Sequence, residues 1–215
     1  MKIPLANRLK KRLHVETALL QDEVMDIVYI LEENAVLHGG TAIWRCYEGN
    51  RFSEDLDFYF PTVESFENRL SIKLKERNLQ LLKYKKTHDI VFSKITDGNI
   101  EVRLEINTRP KKMENIVRSY EKTDGSFMDV FTLSPEQLLL EKINAYKSRK
   151  LIRDIYDVYH LSKYVKDSEV KDAIVVFISK IEKPADEETL KTIVYTGAVP
   201  SFKKMIETLK SGFSL

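Results

Sequence analysis

A chain of 215 residues is long enough for one large domain or two small ones with a real core. With 35 basic and 33 acidic residues the formal net charge is only +2, so global charge does not mark a nucleic-acid binder; 43% hydrophobic and 32% charged residues describe a soluble globular protein. One cysteine, Cys46, excludes an internal disulfide, no apolar run approaches the ~20 residues needed to cross a bilayer, and the basic N-terminus lacks the apolar stretch of a secretory signal, so the expected location is the cytoplasm with no membrane partner.

Val15 to Leu31 carries apolar residues at helical spacing and predicts an amphipathic helix. "NAVLH" reads as a short strand running into Gly39-Gly40, "TAIWRCYE" as a helix that "GNRFSE" breaks, and "DLDFYF" as a second strand. Val63 to Arg77 returns to a helical pattern. Strands are predicted over Leu79–Lys85, Asp89–Ile95 and Ile100–Asn107, the last two joined by Thr96-Asp97-Gly98-Asn99, whose Asp-Gly is a hairpin signal. In the third of these, Ile100, Val102, Leu104 and Ile106 face one way and Glu101, Arg103, Glu105 and Asn107 the other, the period of a strand with one buried face.

After "TRPKKMEN", "SFMDVFTL" reads as a short strand. Ser134, Pro135 and Gln137 then mark a helix start with a capping box. The remainder reads as nearly all helix, interrupted near "KPADEE" and "TGAVPS". The shift in pattern divides the chain into residues 1–130, mixed strand and helix, and residues 131–215, helical.

Gly39-Gly40 between a strand and a helix exposes backbone N–H groups at the positive end of a helix dipole, and glycine lets a phosphate come close. Thr41 offers a further hydroxyl donor. Asp55 and Asp57, at i and i+2 of a strand, share a face with Cα atoms about 6.6 Å apart. Such a pair can grip divalent ions ~3.5–4 Å apart, the spacing of two-metal phosphoryl transfer. An acidic, solvated strand face is the plain alternative. The "FYF" that follows argues against it, because a mostly buried strand does not keep adjacent carboxylates without a compensating cation.

"GGTAIWRCYEGNRFSEDLDF" resembles the first motif of the AbiEii-type nucleotidyltransferases, toxins of type IV toxin–antitoxin systems within the DNA polymerase β-like nucleotidyltransferase superfamily. The residues that carry the resemblance are Gly39, Gly40 and the run Arg51, Ser53, Asp55, Leu56, Asp57, Phe58. "EKINAYKSRKLIRDIYDVYHL" is similar to the family's second motif at Lys142, Ala145, Arg149, Asp154 and Asp157. Physical spacing agrees: Lys142, Ala145 and Arg149 fall along one helical face, and Asp154 and Asp157 lie one turn apart on the next helix. Taken alone, the helix pair could equally be surface helices laced by ion pairs.

The resemblance implies an α+β fold, with a polymerase β-like core of mixed sheet and flanking helices followed by a helical C-terminal half. It implies transfer of a nucleoside monophosphate from an NTP to a hydroxyl, with two Mg²⁺ ions on Asp55, Asp57 and a third carboxylate. Glu105 in "LEIN" is the preferred third ligand and Glu101 the alternative, unless Glu101 pairs with Arg103. The Gly39–Thr41 turn, Arg51, Ser53, Lys142 and Arg149 are expected on the nucleotide, Lys142 stabilising charge on the departing pyrophosphate. Asp157 either orients Lys142 or Arg149 or acts on the substrate hydroxyl. By resemblance the acceptor is RNA, foremost the 3′ end of tRNA, and a cognate antitoxin is the expected partner. The competing reading is a non-catalytic relative that binds nucleotide or a partner.

Other features read more plainly. His38 is expected as a packed strand-end residue, and His14, His88 and His160 have no zinc-ligand spacing. Trp44, Tyr47 and Phe52 are expected in the core. Basic clusters "RLKKRLH", "LKYKKTH", "RPKKM" and "KSRKLIR" fit an RNA backbone or simply solvated faces.

Overall fold

A computed structural model describes residues 3–62, 65–108 and 114–213. The elements run α1 (Leu5–Arg8), α2 (Arg12–Leu31), β1 (Val36–His38), α3 (Gly39–Cys46), β2 (Asp55–Tyr59), α4 (Phe66–Glu76), β3 (Gln80–Lys86), β4 (Ile90–Thr96), β5 (Glu101–Asn107), β6 (Asn115–Glu121), β7 (Phe127–Leu133), α5 (Pro135–Arg149), α6 (Ile152–Leu161), α7 (Ser168–Ser179), α8 (Leu190–Ile193) and α9 (Phe202–Gly212), with 3₁₀ turns after α6 and before α8. Every expected strand and helix recurs within a few residues. Val63 and the "RPKKM" cluster lie outside the described residues.

The seven strands form one mixed sheet in the order β3-β4-β5-β2-β1-β7-β6. Pairings β2–β5 and β1–β7 are parallel and the others antiparallel. The β4–β5 turn forms as the Asp-Gly signal requires. Asp97 Oδ1 accepts from the Asn99 and Ile100 amides at 2.8 and 2.9 Å, and Gly98 takes φ 99°. The sequence pattern does not announce β6: its run "NIVRSYE" alternates weakly, and only pairing with β7 makes it a strand.

Period-2 alternation gives the central strands one apolar face. Leu56, Phe58, Val91, Ile95, Val102, Leu104 and Ile106 join α2 residues Val24, Ile27, Val28 and Leu31 and α4 residues Leu70 and Leu74 in a single core. That core continues without a break into Leu138, Ile143, Ile155 and Val158 of α5 and α6. The expected boundary at residue 130 falls inside β7, and α5 starts from it with its capping box intact: Ser134 Oγ accepts from the Gln137 amide and Gln137 Oε1 from the Ser134 amide, both at 3.3 Å. Trp44, Phe52 and Tyr195 form a second apolar cluster with Leu5, Leu9 and Ala18, and Tyr47 enters the main core, so all three aromatics of the first motif are structural. Among the described residues no helix is long and apolar enough to cross a membrane.

Candidate active site

The opposite face of the sheet is polar. Register fixes its layout: Asp57 stands across from Glu105, Asp55 across from Arg103, and His38 across from Asp57. Parallel pairing of β2 with β5 therefore sets Asp57 and Glu105 side by side, about one strand spacing of 4.8 Å apart at Cα. Glu101 lies four residues up β5, exposed, and accepts from Lys94 Nζ at 2.8 Å, not from Arg103. Geometry favours Glu105 as the companion of Asp57.

A cleft of about 150 Å³ opens above these residues. Three acids, Asp55, Asp57 and Glu105, face five cations, Arg51, Arg103, Lys142, Arg149 and Arg153, with Gly40 and Ser53 at its edge. A larger hollow of about 900 Å³ between α6 and the segment before α9 carries His160, Lys163 and Lys204 but no carboxylate. Charge arrangement, not size, singles out the smaller one.

Burial, reinforced by the Asp55 charge, pushes the Asp57 carboxyl up, although His38, Lys142 and Arg103 act against it. Glu105 is raised by burial and by Asp57. Two neighbouring carboxylates in that state repel, and a divalent ion would relieve them; all-oxygen donors suit a hard cation such as Mg²⁺. Asp55, however, is bound by the Arg103 guanidinium. Among the described residues no three His, Cys, Asp or Glu side chains form a group that could hold one ion. The three acids thus share a face, with Asp57 and Glu105 adjacent and Asp55 engaged elsewhere. The donor chemistry fits a divalent ion, and Arg103 holds one of the two Asp55 oxygens.

The glycine turn packs against this face. Gly39 has φ +72°, and a Cβ there would collide with the Asp57 carboxylate. At Gly40 an added Cβ would sit 2.5 Å from Ser53 Oγ and 2.6 Å from Arg51 Nη2. Thr41 corrects an expectation: its hydroxyl is fully buried and donates to the Asp55 carbonyl at 2.5 Å, so it fixes the strand and is not available to a nucleotide.

The second motif supplies the cleft's other wall. Arg51 Nε and Nη2 donate to the two oxygens of Asp157, each at 2.6 Å, and Lys142 Nζ reaches Asp157 Oδ2 at 3.1 Å. Asp157 is 1% exposed and does not line the cleft; its carboxylate is bonded to Arg51 and Lys142. Burial opposes its charge, but Arg51 and Lys142 together hold its pKa below the ordinary range. Arg149 is claimed by Asp154, with Nε and Nη2 each at 2.7 Å from its oxygens. Both aspartates of α6 are therefore holders of cations that face the cleft.

Arg103 and Arg153 line the cleft without a motif to mark them. Arg103 lies on the same polar face as Glu105 and is open to detection there. Glu141 accepts from Tyr59 Oη at 2.7 Å and lies 3.3 Å from His38 Nδ1, while His38 stacks on Tyr59 at 3.8 Å; tertiary packing alone brings these three together. His38 is thus the packed strand-end residue expected. His14 stacks on Phe52, and His160 Nε2 is bonded to the Tyr47 carbonyl oxygen at 2.7 Å.

Residues 27–206 match the family described as nucleotidyl transferase AbiEii toxin, type IV toxin–antitoxin system. The chain belongs to that family. No curated protein sequence matches this AbiEii member. Among solved structures, JHP933 from Helicobacter pylori is 21% identical, with 93% of this chain covering 91% of that one at a TM-score of 0.63. MenT4, a nucleotidyltransferase toxin from Mycobacterium tuberculosis, is 16% identical over 94% of this chain and 83% of its own, at 0.60. ANT(2″)-Ia, solved with adenylyl-2″-tobramycin, is 13% identical over 77% and 98%, at 0.51. These likenesses establish a shared fold.

Proposed function

We propose that this AbiEii nucleotidyltransferase moves a nucleoside monophosphate from an NTP onto an RNA hydroxyl, with the 3′ end of tRNA as the foremost acceptor, in a Mg²⁺-dependent reaction. The observation that carries the reading is the register of Asp57 and Glu105 across the β2–β5 pair, facing Lys142 over one cleft. Asp57, Glu105 and, once free of Arg103, Asp55 would hold the ions. When bound, those ions supply charge neutralisation on the phosphates and a more acidic acceptor hydroxyl.

The chain's own groups divide the remaining work. Gly40 and Ser53 give the triphosphate a close approach at the start of α3. Lys142, steadied by Asp157, and Arg149, steadied by Asp154, stabilise charge that moves onto the leaving pyrophosphate. The acceptor oxygen forms a bond to the α-phosphorus as the bond from that phosphorus to the bridging oxygen of pyrophosphate breaks, and the hydroxyl proton leaves to the carboxylate side. A Cβ added at Gly40 would fall 2.5 Å from Ser53 Oγ, so only glycine leaves this turn unobstructed. A helical C-terminal half, residues 131–215, then acts as the arm that carries Lys142, Arg149 and Arg153, with a cognate antitoxin restraining the activity in the cytoplasm.

The test is incubation with each α-labelled NTP, Mg²⁺ and total RNA, scored for labelled RNA and for equimolar pyrophosphate. Asp57→Asn should remove both products. The Arg103–Asp55 pair favours a second reading, a nucleotide-binding regulator that performs no transfer. Thermal stabilisation by an NTP without pyrophosphate from any acceptor selects that reading instead.

A further inference from the structure

The polar face that bears the carboxylates does not end at β5. Its register continues across two more strands: Arg103 stands opposite Lys94, and Lys94 opposite Lys83; Glu105 stands opposite Phe92, and Phe92 opposite Lys85. Two rows thus lead from the site to the sheet edge, one Asp55–Arg103–Lys94–Lys83 and the other Asp57–Glu105–Phe92–Lys85. Lys83 and Lys85 lie about 10 Å, two strand spacings, from β5. Lys83 Nζ stands 5.3 Å from the Phe92 ring, as two side chains on one face must.

That face is open. Lys83, Lys85 and Glu101 are exposed, Ile90 is 38% exposed, and the Lys94 side chain is 44% exposed, whereas Val91, Ile95, Val102 and Leu104 on the reverse are buried under α2 and α4. At the other end of the site, Glu141 of α5 is bonded to Tyr59 and close to His38, which closes the β1 side. The outer face of β5, β4 and β3 is thus an open route by which bulk attached to an acceptor hydroxyl can leave the cleft. Lys83 and Lys85 form no ion pair among the described residues, so their charge is available to a polyanion.

We propose that the outer face of β5, β4 and β3 docks a single-stranded polynucleotide acceptor, with Lys83 and Lys85 on its phosphates and Phe92 as a stacking surface for a base. Charge complementarity and continuity with the carboxylates select this occupant. The inference rests on the transferase reading for the acceptor's purpose, but the surface is testable by binding alone.

The experiment measures anisotropy of a fluorescein-labelled 12-nucleotide single-stranded RNA, without NTP, at several salt concentrations. Each lysine that neutralises a phosphate of a single strand adds about 0.7 to the slope of log K against log[salt]. Lys83→Ala/Lys85→Ala should therefore weaken binding at least tenfold and flatten that slope by about 1.4. Phe92→Ala should weaken binding about 5- to 150-fold and leave the slope unchanged. NTP-induced thermal stabilisation should persist in all variants, which certifies their fold. Wild-type affinity and slope in the double lysine variant overturn the proposal, as does equal binding of a blunt duplex with no effect of Phe92→Ala. Failure of wild type to bind the probe while an acidic protein binds through Lys83 and Lys85 overturns it as well. Absence of pyrophosphate alongside lysine-dependent RNA binding defeats the transferase reading and leaves the surface standing.

Discussion

Arg51 and Asp157, 106 residues apart, meet through two 2.6 Å hydrogen bonds in a fully buried fork that pins the loop before β2 to α6. The first motif's arginine and the second motif's aspartate are thus one structural unit, and Lys142 is its third member at 3.1 Å. Asp157→Asn leaves a buried guanidinium without its bonded carboxylate, and breaking such a pair costs about 3–5 kcal/mol. The expected outcome is a lowered denaturation midpoint with transfer reduced beyond what unfolding explains, since Lys142 loses its anchor. A paired Arg51→Met/Asp157→Leu variant should recover stability without recovering transfer.

Asp157 also sets an acid limb. Its folded pKa is depressed, so the stability it contributes is fully present above its unfolded value of about 4 and is lost as pH falls through the lower folded value. Denaturant titrations from pH 7 down to pH 3 should show wild type losing stability more steeply than Asp157→Asn below pH 4. Parallel curves would remove Asp157 from this role.

Gly39→Ala should be costly at the site. A left-handed φ strains any side chain by about 1 kcal/mol, and the added methyl displaces the Asp57 carboxylate itself. Transfer should fall at least a hundredfold for a midpoint loss of only a few degrees. Near-normal transfer in a folded variant would mean that Asp57 does not need its observed position.

Much of this arrangement is legible in the sequence because it is local. Two-residue alternation places Asp55 with Asp57 and Glu105 with Arg103, and Ser134, Pro135 and Gln137 announce α5. What stays hidden depends on strands and helices meeting. Glu101 and Glu105 share one face, and only the parallel register with β2 separates them. Thr41 carries a hydroxyl in a phosphate-binding pattern, yet the Asp55 carbonyl consumes it. β6 alternates only weakly and exists by pairing with β7, and the His38–Tyr59–Glu141 contact joins three elements.

The Arg103 guanidinium on Asp55 would compete with a divalent ion for the same carboxylate. Arg103→Met should therefore bind Mg²⁺ several-fold more tightly, read as a larger Mg²⁺-induced rise in thermal midpoint, whereas Asp57→Asn should abolish that rise. An unchanged Mg²⁺ response in Arg103→Met would show that Asp55 takes no part in holding the ion.

The most direct measurement compares pyrophosphate release by Glu105→Gln and Glu101→Gln under identical NTP, Mg²⁺ and RNA. The β2–β5 register predicts a loss of at least a hundredfold for Glu105→Gln, which stands beside Asp57, and near wild-type release for Glu101→Gln, which pairs with Lys94. Retained activity in Glu105→Gln would contradict it.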